Sequence, residues 1–260
     1  MIQVCLNGGR GPGDSAAVPM SPAAMAEEAA RAVAAGARDV HVHPKTPCGG
    51  DTLSPRVLAE TLTAIRAAVD VPVGVTTGAW AEPDPVRRVE RVRSWTVLPD
   101  HASVNWHEPG AEELAATLLE RGVGVEAGLW SGTDGPARFL RSPLAPRVLR
   151  ILAEVTDPDP VTAEATAQSL LAELGPASGR LAERASAPGH RTEQGSAPGR
   201  APVLLHGEDA GAWPVLRLAR RLGLATRIGL EDTLFLPDGR PAGSNAELVT
   251  AAVAGAARSL

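Results

Sequence analysis

Short apolar runs alternate with longer amphipathic ones along the whole chain. Ile2 to Asn7 is an apolar run closed by Gly8-Gly9; Ser21-Pro22 then opens an Ala- and Glu-rich stretch that reaches Ala35, with Gly36 behind it. That succession predicts a strand, a loop and a capped helix: Ser21 suits the N-cap, Pro22 the first helical turn and Gly36 the stop. The same phrase recurs. Val40 to His43 precedes a predicted helix from about Ser54 to Val69, Pro72 to Thr77 one from about Pro85 to Trp95, and Ala102 to Trp106 one from about Gly110 to Arg121. Val123 to Leu129 leads into a weaker helix near Asp134 to Arg141, and Arg147 to Val155 into one from about Val161 to Leu174. Val203 to His206 leads into Ala212 to Leu222, and Thr226 to Leu230 leads, past a turn at Pro237-Asp238-Gly239, into Asn245 to Ala257.

Eight consecutive strand-helix units with short apolar strands call for parallel pairing, and eight is the number that closes a (β/α)8 barrel over residues 1–260. An open doubly wound sheet is the rival, but Gly8-Gly9-Arg10-Gly11-Pro12-Gly13 fits neither glycine fingerprint of nucleotide-binding loops, and the stretch suits a flexible rim of a site instead. From about Ala177 to Arg200 the rhythm breaks, and Ser-Ala-Pro-Gly occurs twice. Such a composition cannot bury a core, so a flexible insertion between the sixth helix and seventh strand is expected.

Composition narrows the function classes. Hydrophobic residues make up 44% of the 260, yet no uninterrupted apolar run approaches the ~18 residues that suggest a membrane span. The start Met1-Ile2-Gln3-Val4-Cys5 lacks the basic and apolar regions of a signal peptide, so a cytoplasmic protein is expected. A net charge of -5 with scattered arginines offers no basic patch for a nucleic-acid backbone. Cys5 and Cys48 form no disulfide framework and no zinc knuckle.

In a barrel the site lies at the carboxyl ends of the strands, and here nearly every strand ends in polar residues. Asn7 ends the first; His41 and His43, the second; Thr76, Thr77 and Gly78, the third; Ser103 and Asn105, the fourth. Glu126 lies on the fifth, His206 and Glu208 on the seventh, and Arg227, Glu231 and Asp232 on the eighth. Alternation puts His41 and His43 on one strand face, where two imidazoles converge as metal ligands do. Two partly buried, hydrogen-bonded histidines would present the same pattern. With strands 2 and 8 taken as neighbours, Glu231 completes a His2Glu zinc site with an open position. Asp232, on the opposite face of an ideal strand, suits proton transfer. Arg227 suits a substrate carboxylate or an enolate, or else an interior ion pair with Glu231 or Glu126.

These residues coincide with a known pattern. Leu6-Asn7-Gly8-Gly9-Arg10, Gly36-Ala37-Arg38-Asp39-Val40-His41-Val42-His43-Pro44, Thr76-Thr77-Gly78, Ser103-Val104-Asn105, Arg227-Ile228-Gly229-Leu230-Glu231-Asp232 and Ser244-Asn245-Ala246-Glu247-Leu248-Val249 resemble the β-keto acid cleavage enzymes. The match covers nearly the whole chain outside the insertion. It implies an oligomeric barrel, a dimer or tetramer, that binds one Zn2+ and exchanges acyl groups between a β-keto acid and acetyl-CoA, giving acetoacetate and a new acyl-CoA. By motif, His41, His43 and Glu231 correspond to the zinc ligands, and Arg227 and Asp232 to the pair that starts the reaction. Thr76 and Ser103 correspond to substrate contacts and Glu126 to a polar wall residue; Asn7, Thr77, Gly78, Asn105 and His206 complete the expected substrate rim. Two stretches depart from the family: Gly9-Arg10 replaces an acidic residue after strand 1, and His206 to Trp213 replaces a Gly-Arg-Trp-type loop after strand 7. A CoA-independent zinc retro-aldolase or hydrolase, and a barrel that binds without turnover, remain the alternatives.

Overall fold

In the computed structural model of the chain, residues 1–175, 178–179 and 201–257 are described; apart from residues 178–179, the expected insertion at about 177–200 lies outside them. The eight predicted units form. In order they are β1 (Ile2–Cys5), α1 (Pro22–Ala34), β2 (Asp39–Val42), α2 (Pro55–Ala68), β3 (Val73–Thr76), α3 (Pro85–Arg93), β4 (His101–Asn105) and α4 (Ala111–Glu120). Then follow β5 (Gly124–Trp130), α5 (Gly135–Arg141), β6 (Arg150–Val155), α6 (Ala163–Leu174), β7 (Ala201–Gly207), α7 (Ala212–Arg221), β8 (Thr226–Ile228) and α8 (Asn245–Ala257).

Every neighbouring pair in the sheet is parallel. Between β7 and β8 the barrel closes through a single parallel bridge, Leu204 to Ala225, the Leu205 amide donating to the Ala225 carbonyl at 2.9 Å. Strands of parallel sheets are buried on both faces, which is why β2, β3, β4 and β6 are buried throughout. The helices pack outside with apolar stripes such as Leu58, Leu62 and Ile65 on α2. Ser21 caps α1 as expected, accepting from the Ala24 amide at 3.2 Å, whereas Ser54 makes no side-chain cap bond.

Two features depart from the sequence expectation. Strands 2 and 8 are not neighbours, because β1 pairs with both and lies between them. And β8 stops at Ile228: the Asp232 and Thr233 amides both bond the Gly229 carbonyl at 3.0 Å, so Glu231 and Asp232 sit in a turn rather than on a strand.

The amino-terminal half of the barrel holds a closed polar layer. Gln3 donates to Asp39 (2.9 Å) and Glu126 (3.1 Å), and Arg150 donates to Asp39 (2.8 Å) and Glu126 (2.5 Å). His101 lies 3.0 Å from each carboxylate. A side chain at position 74 would strike the His101 ring at 1.9 Å, so Gly74 is the gap that admits it.

Candidate metal centre and its surroundings

At the opposite end, the ends of β1, β2 and β8 converge. Glu231 reaches the β2 histidines by passing over β1, and two glycines open the way. A Cβ at Gly229 would meet the Cys5 carbonyl at 1.9 Å, and one at Gly8, whose φ is +53°, would meet the Glu231 side chain at 2.3 Å. The chain therefore needs glycine at both points for the carboxylate to cross a strand. His41 Nε2 lies 3.8 Å from Glu231 Oε2, and His43 Nε2 lies 3.5 Å from Glu231 Oε1. One ligand atom from each residue falls within 4.8 Å of the others.

The donor set suits a divalent cation. His41 Nδ1 and Glu231 Oε2 are buried without a hydrogen-bond partner, an expensive condition in a protein interior. Burial pushes His41 down to about 4, with the Arg227 and His43 charges adding to the effect, so it is the neutral imidazole a cation requires. Burial drives Glu231 upward, but the charges of Arg227 and His43 outweigh it and hold the carboxyl well below its ordinary range. His43 Nδ1 lies 3.2 Å from Asp51 Oδ2, an arrangement that fixes the ring with Nε2 toward the centre. Against the pull of burial, Glu231 and Asp51 raise His43 to about 9, so a cation bound there would have to displace its proton. Asp51 is held in turn by Lys45 at 2.6 Å, and Lys45 donates to the Gly8 carbonyl at 2.5 Å.

The remaining predicted residues divide into four groups. Asn7 faces backbone: its amide donates to the His43 carbonyl (3.0 Å), and its carbonyl accepts from the His43 amide (2.9 Å), fastening β1 to the end of β2. Arg227 is buried, and its guanidinium grips Asp232 Oδ1 through Nε (3.0 Å) and Nη2 (2.9 Å) and Glu231 Oε1 through Nη2 (3.0 Å). Asp232 thus shares an arginine with Glu231 instead of facing away from it, as strand alternation had implied. His206 Nδ1 lies 3.5 Å from Asp232, and its Nε2 lies 3.5 Å from Glu154. Burial and Arg227 pull His206 down, and the two carboxylates more than offset them, raising it to about 9.

Thr76, Thr77, Gly78, Ser103 and Asn105 line the ends of β3 and β4. Thr76 accepts from the Gly78 amide at 3.1 Å, Thr77 donates to the Ser103 carbonyl at 2.5 Å, and Asn105 donates to Glu108 at 2.9 Å. Glu126 is placed elsewhere. It belongs to the closed lower layer, bound by Arg150, Gln3 and His101, and is fully buried. Three contributors escaped the sequence analysis. Asp51 and Lys45 lie in a loop with no periodic signal, whereas Glu154 is the penultimate residue of β6 and meets the same strand-end criterion as the others.

A sequence model of the beta-keto acid cleavage enzyme family matches residues 1–129 and 189–259. No curated protein matches the chain. Among solved structures, the fold is similar to ObcA in a ternary complex with a C4-CoA adduct and oxalate, with a TM-score of 0.67 and 14% identity over 94% of this chain. It is similar also to ObcA in a binary complex with oxaloacetate, with a TM-score of 0.62 and 16% identity over 94% of this chain. The chain spans 64% of the length of ObcA in both. The N-acetylmannosamine-6-phosphate 2-epimerase from Clostridium perfringens has a TM-score of 0.50 and 13% identity over 89% of this chain and 87% of its own. At these identities the likeness to solved structures is one of fold.

Proposed function

The chain belongs to the beta-keto acid cleavage enzyme family, and from that premise we propose that it exchanges acyl groups between a β-keto acid and acetyl-CoA at a zinc ion held by His41, His43 and Glu231. The observation that carries this reading is the buried cluster of two imidazoles and a carboxylate, one ligand atom of each within 4.8 Å of the others. In the balanced reaction, the bond between the β-carbonyl carbon and the carboxymethyl carbon breaks, and that carbonyl passes to the CoA sulfur. The carboxymethyl group takes the acetyl of acetyl-CoA and leaves as acetoacetate.

When bound, zinc would supply a Lewis acid for the β-keto oxygen. The protein's own groups set the rest. Arg227 holds Glu231 and Asp232 on one guanidinium, so ligand and proton acceptor keep a fixed relation. Asp232 Oδ2 is buried with no partner and is the atom that would take and return the proton. His206, 3.5 Å from Oδ1, orients that carboxylate from behind. Ser103, Thr76, Thr77, Gly78 and Asn105 would position the substrate's carboxylate and carbonyl at the rim, and copies of the chain would assemble as a dimer or tetramer. That ObcA is described with oxaloacetate, itself a β-keto acid, and with a CoA adduct is consistent with both substrates meeting in one such barrel.

The test is a panel of β-keto acids with acetyl-CoA and purified protein, with products read by mass. New acyl-CoA and acetoacetate in equal amounts are expected. Cleavage that proceeds equally without CoA would replace the reading with a retro-aldolase or hydrolase, and no cleavage of any acid would overturn it.

A further inference from the structure

An aromatic ladder rises from the metal centre to the barrel mouth. The Trp80 ring, in the loop after β3, lies parallel to the His43 imidazole within 5° at a centroid distance of 5.9 Å. Trp130, at the end of β5, lies 6.3 Å from Trp80 at 25°, and His107 lies 4.6 Å from Trp130. Trp80 is nonetheless 48% exposed. The end of β3 is kept bare for it, since a Cβ at Gly78 would strike the indole at 2.2 Å. An indole this exposed, seated on a glycine and stacked on a metal-centre histidine, offers a flat apolar face where the reacting end of a substrate must lie.

The charges at this rim are largely committed, one buried nitrogen of Arg88, Nη2, being left without a partner. Arg88 is bound to Glu108 and to the Glu82 carbonyl, and Arg138 donates to the carbonyls of His107 and Glu108. Glu108 accepts from Asn105 and from the Ala79 amide. The rim thus pairs an apolar surface with arginines already bound, an environment that favours an uncharged group over a second carboxylate.

We propose that Trp80 and Trp130 form the wall against which the acyl substituent of the β-keto acid packs, so that the substrates are acids with an uncharged aliphatic or aromatic acyl group. The inference rests on the proposed reaction only in calling the ligand a β-keto acid. The adenine of CoA is a poor occupant, because the pantetheine arm and the diphosphate separate it from the thioester, whereas the wall begins on a residue of the metal centre itself.

The experiment is calorimetric titration of the zinc-supplemented protein with three uncleavable β-hydroxy acids: 3-hydroxybutanoate, 3-hydroxy-3-phenylpropanoate and 3-hydroxyglutarate. The phenyl acid should bind about tenfold more tightly than 3-hydroxyglutarate, as expected for an aromatic ring buried on an indole. Trp80→Ala should bring that ratio to about one, and Trp80→Phe should keep most of it. Thermal melts of both variants, expected to match the wild type because the position is half-exposed, keep a folding defect from being read as lost affinity. A ratio near one in the wild type, undetectable binding of all three acids, tighter binding of 3-hydroxyglutarate, or a ratio that survives Trp80→Ala would each overturn the wall. So would a Trp80→Ala variant that loses only affinity for CoA. Acyl exchange plays no part in the readout: its absence would overturn the proposed reaction and leave the wall standing, and flat affinities would do the reverse.

Discussion

Two of the buried clusters of charge in the barrel lie at opposite ends of its strands, and they are built differently. In the lower one, Asp39, Glu126, His101, Arg150 and Gln3 balance two carboxylates against two cations, with every residue bound to at least two others. In the upper one, Glu231 lies 3.8 Å from His41 and 3.5 Å from His43, and His41 Nδ1 and Glu231 Oε2 are buried without a hydrogen bond. The same residue types therefore do different jobs. Joined at 2.5 to 3.1 Å they form a structural plug, and held 3.5 to 3.8 Å apart they leave the spacing that a shared cation would need. Polarity inside a barrel is not by itself a sign of a site, and neither is an unpartnered atom: His101 Nδ1 and Glu126 Oε2 of the lower layer also lack a hydrogen bond although they lie 3.0 Å apart, and it is the wider spacing of the upper cluster that sets it apart.

The contrast can be broken at either end. The largest expected effect is at the top: Asp232→Asn keeps the hydrogen-bond geometry toward Arg227 in part but cannot take a proton, so the rate of acyl exchange should fall by about a hundred- to ten-thousand-fold with metal content unchanged. A variant that turns over at the wild-type rate removes Asp232 from the chemistry. Next, Arg150→Ala strips the lower layer of its guanidinium and leaves Asp39 and Glu126 buried beside a single cation. Urea unfolding should show a loss of about 3–5 kcal/mol, as for other broken buried pairs, again with metal content unchanged. A loss under about 1 kcal/mol would mean that the layer is not the closed unit its distances describe.

The smallest effect is in pH. Asp39 and Glu126 raise His101 to about 10 despite its burial, above the ordinary value near 6.5. A group that binds its proton more tightly when folded contributes fully below about pH 6.5 and loses that contribution as pH rises through about 10. The stability difference between wild type and His101→Gln should therefore shrink between pH 6 and 10 as monitored by thermal melts. A constant difference would show that His101 is not charged in the folded state.

How much of this was legible in the sequence depended on how local the cause was. The eight strand-helix units announced themselves because each is decided within a dozen residues by apolar runs, Ser-Pro and Asp-Pro starts and glycine stops. His41, His43 and Glu231 could be singled out by residue type and strand-end position. Orientation was harder. Alternation failed at Asp232 because β8 ends at Ile228, and strand periodicity says nothing about a turn. Strand order misled as well: Glu231 reaches the histidines across β1, and it can do so only because Gly8 and Gly229 leave room, a condition set by two contacts far apart in the chain. Glu126 was assigned to the upper site although its partners, Gln3, His101 and Arg150, lie at the first or second position of other strands, and that pairing emerges only once the barrel closes.

Elemental analysis of zinc per chain tests the distinction between the two clusters most directly. Offered zinc and then freed of excess, the wild type and Arg150→Ala should each hold about one ion, and Glu231→Gln and His43→Ala should hold almost none. A wild-type chain that stays empty, or a Glu231→Gln chain that holds as much as the wild type, would contradict the assignment of the upper cluster as a metal centre.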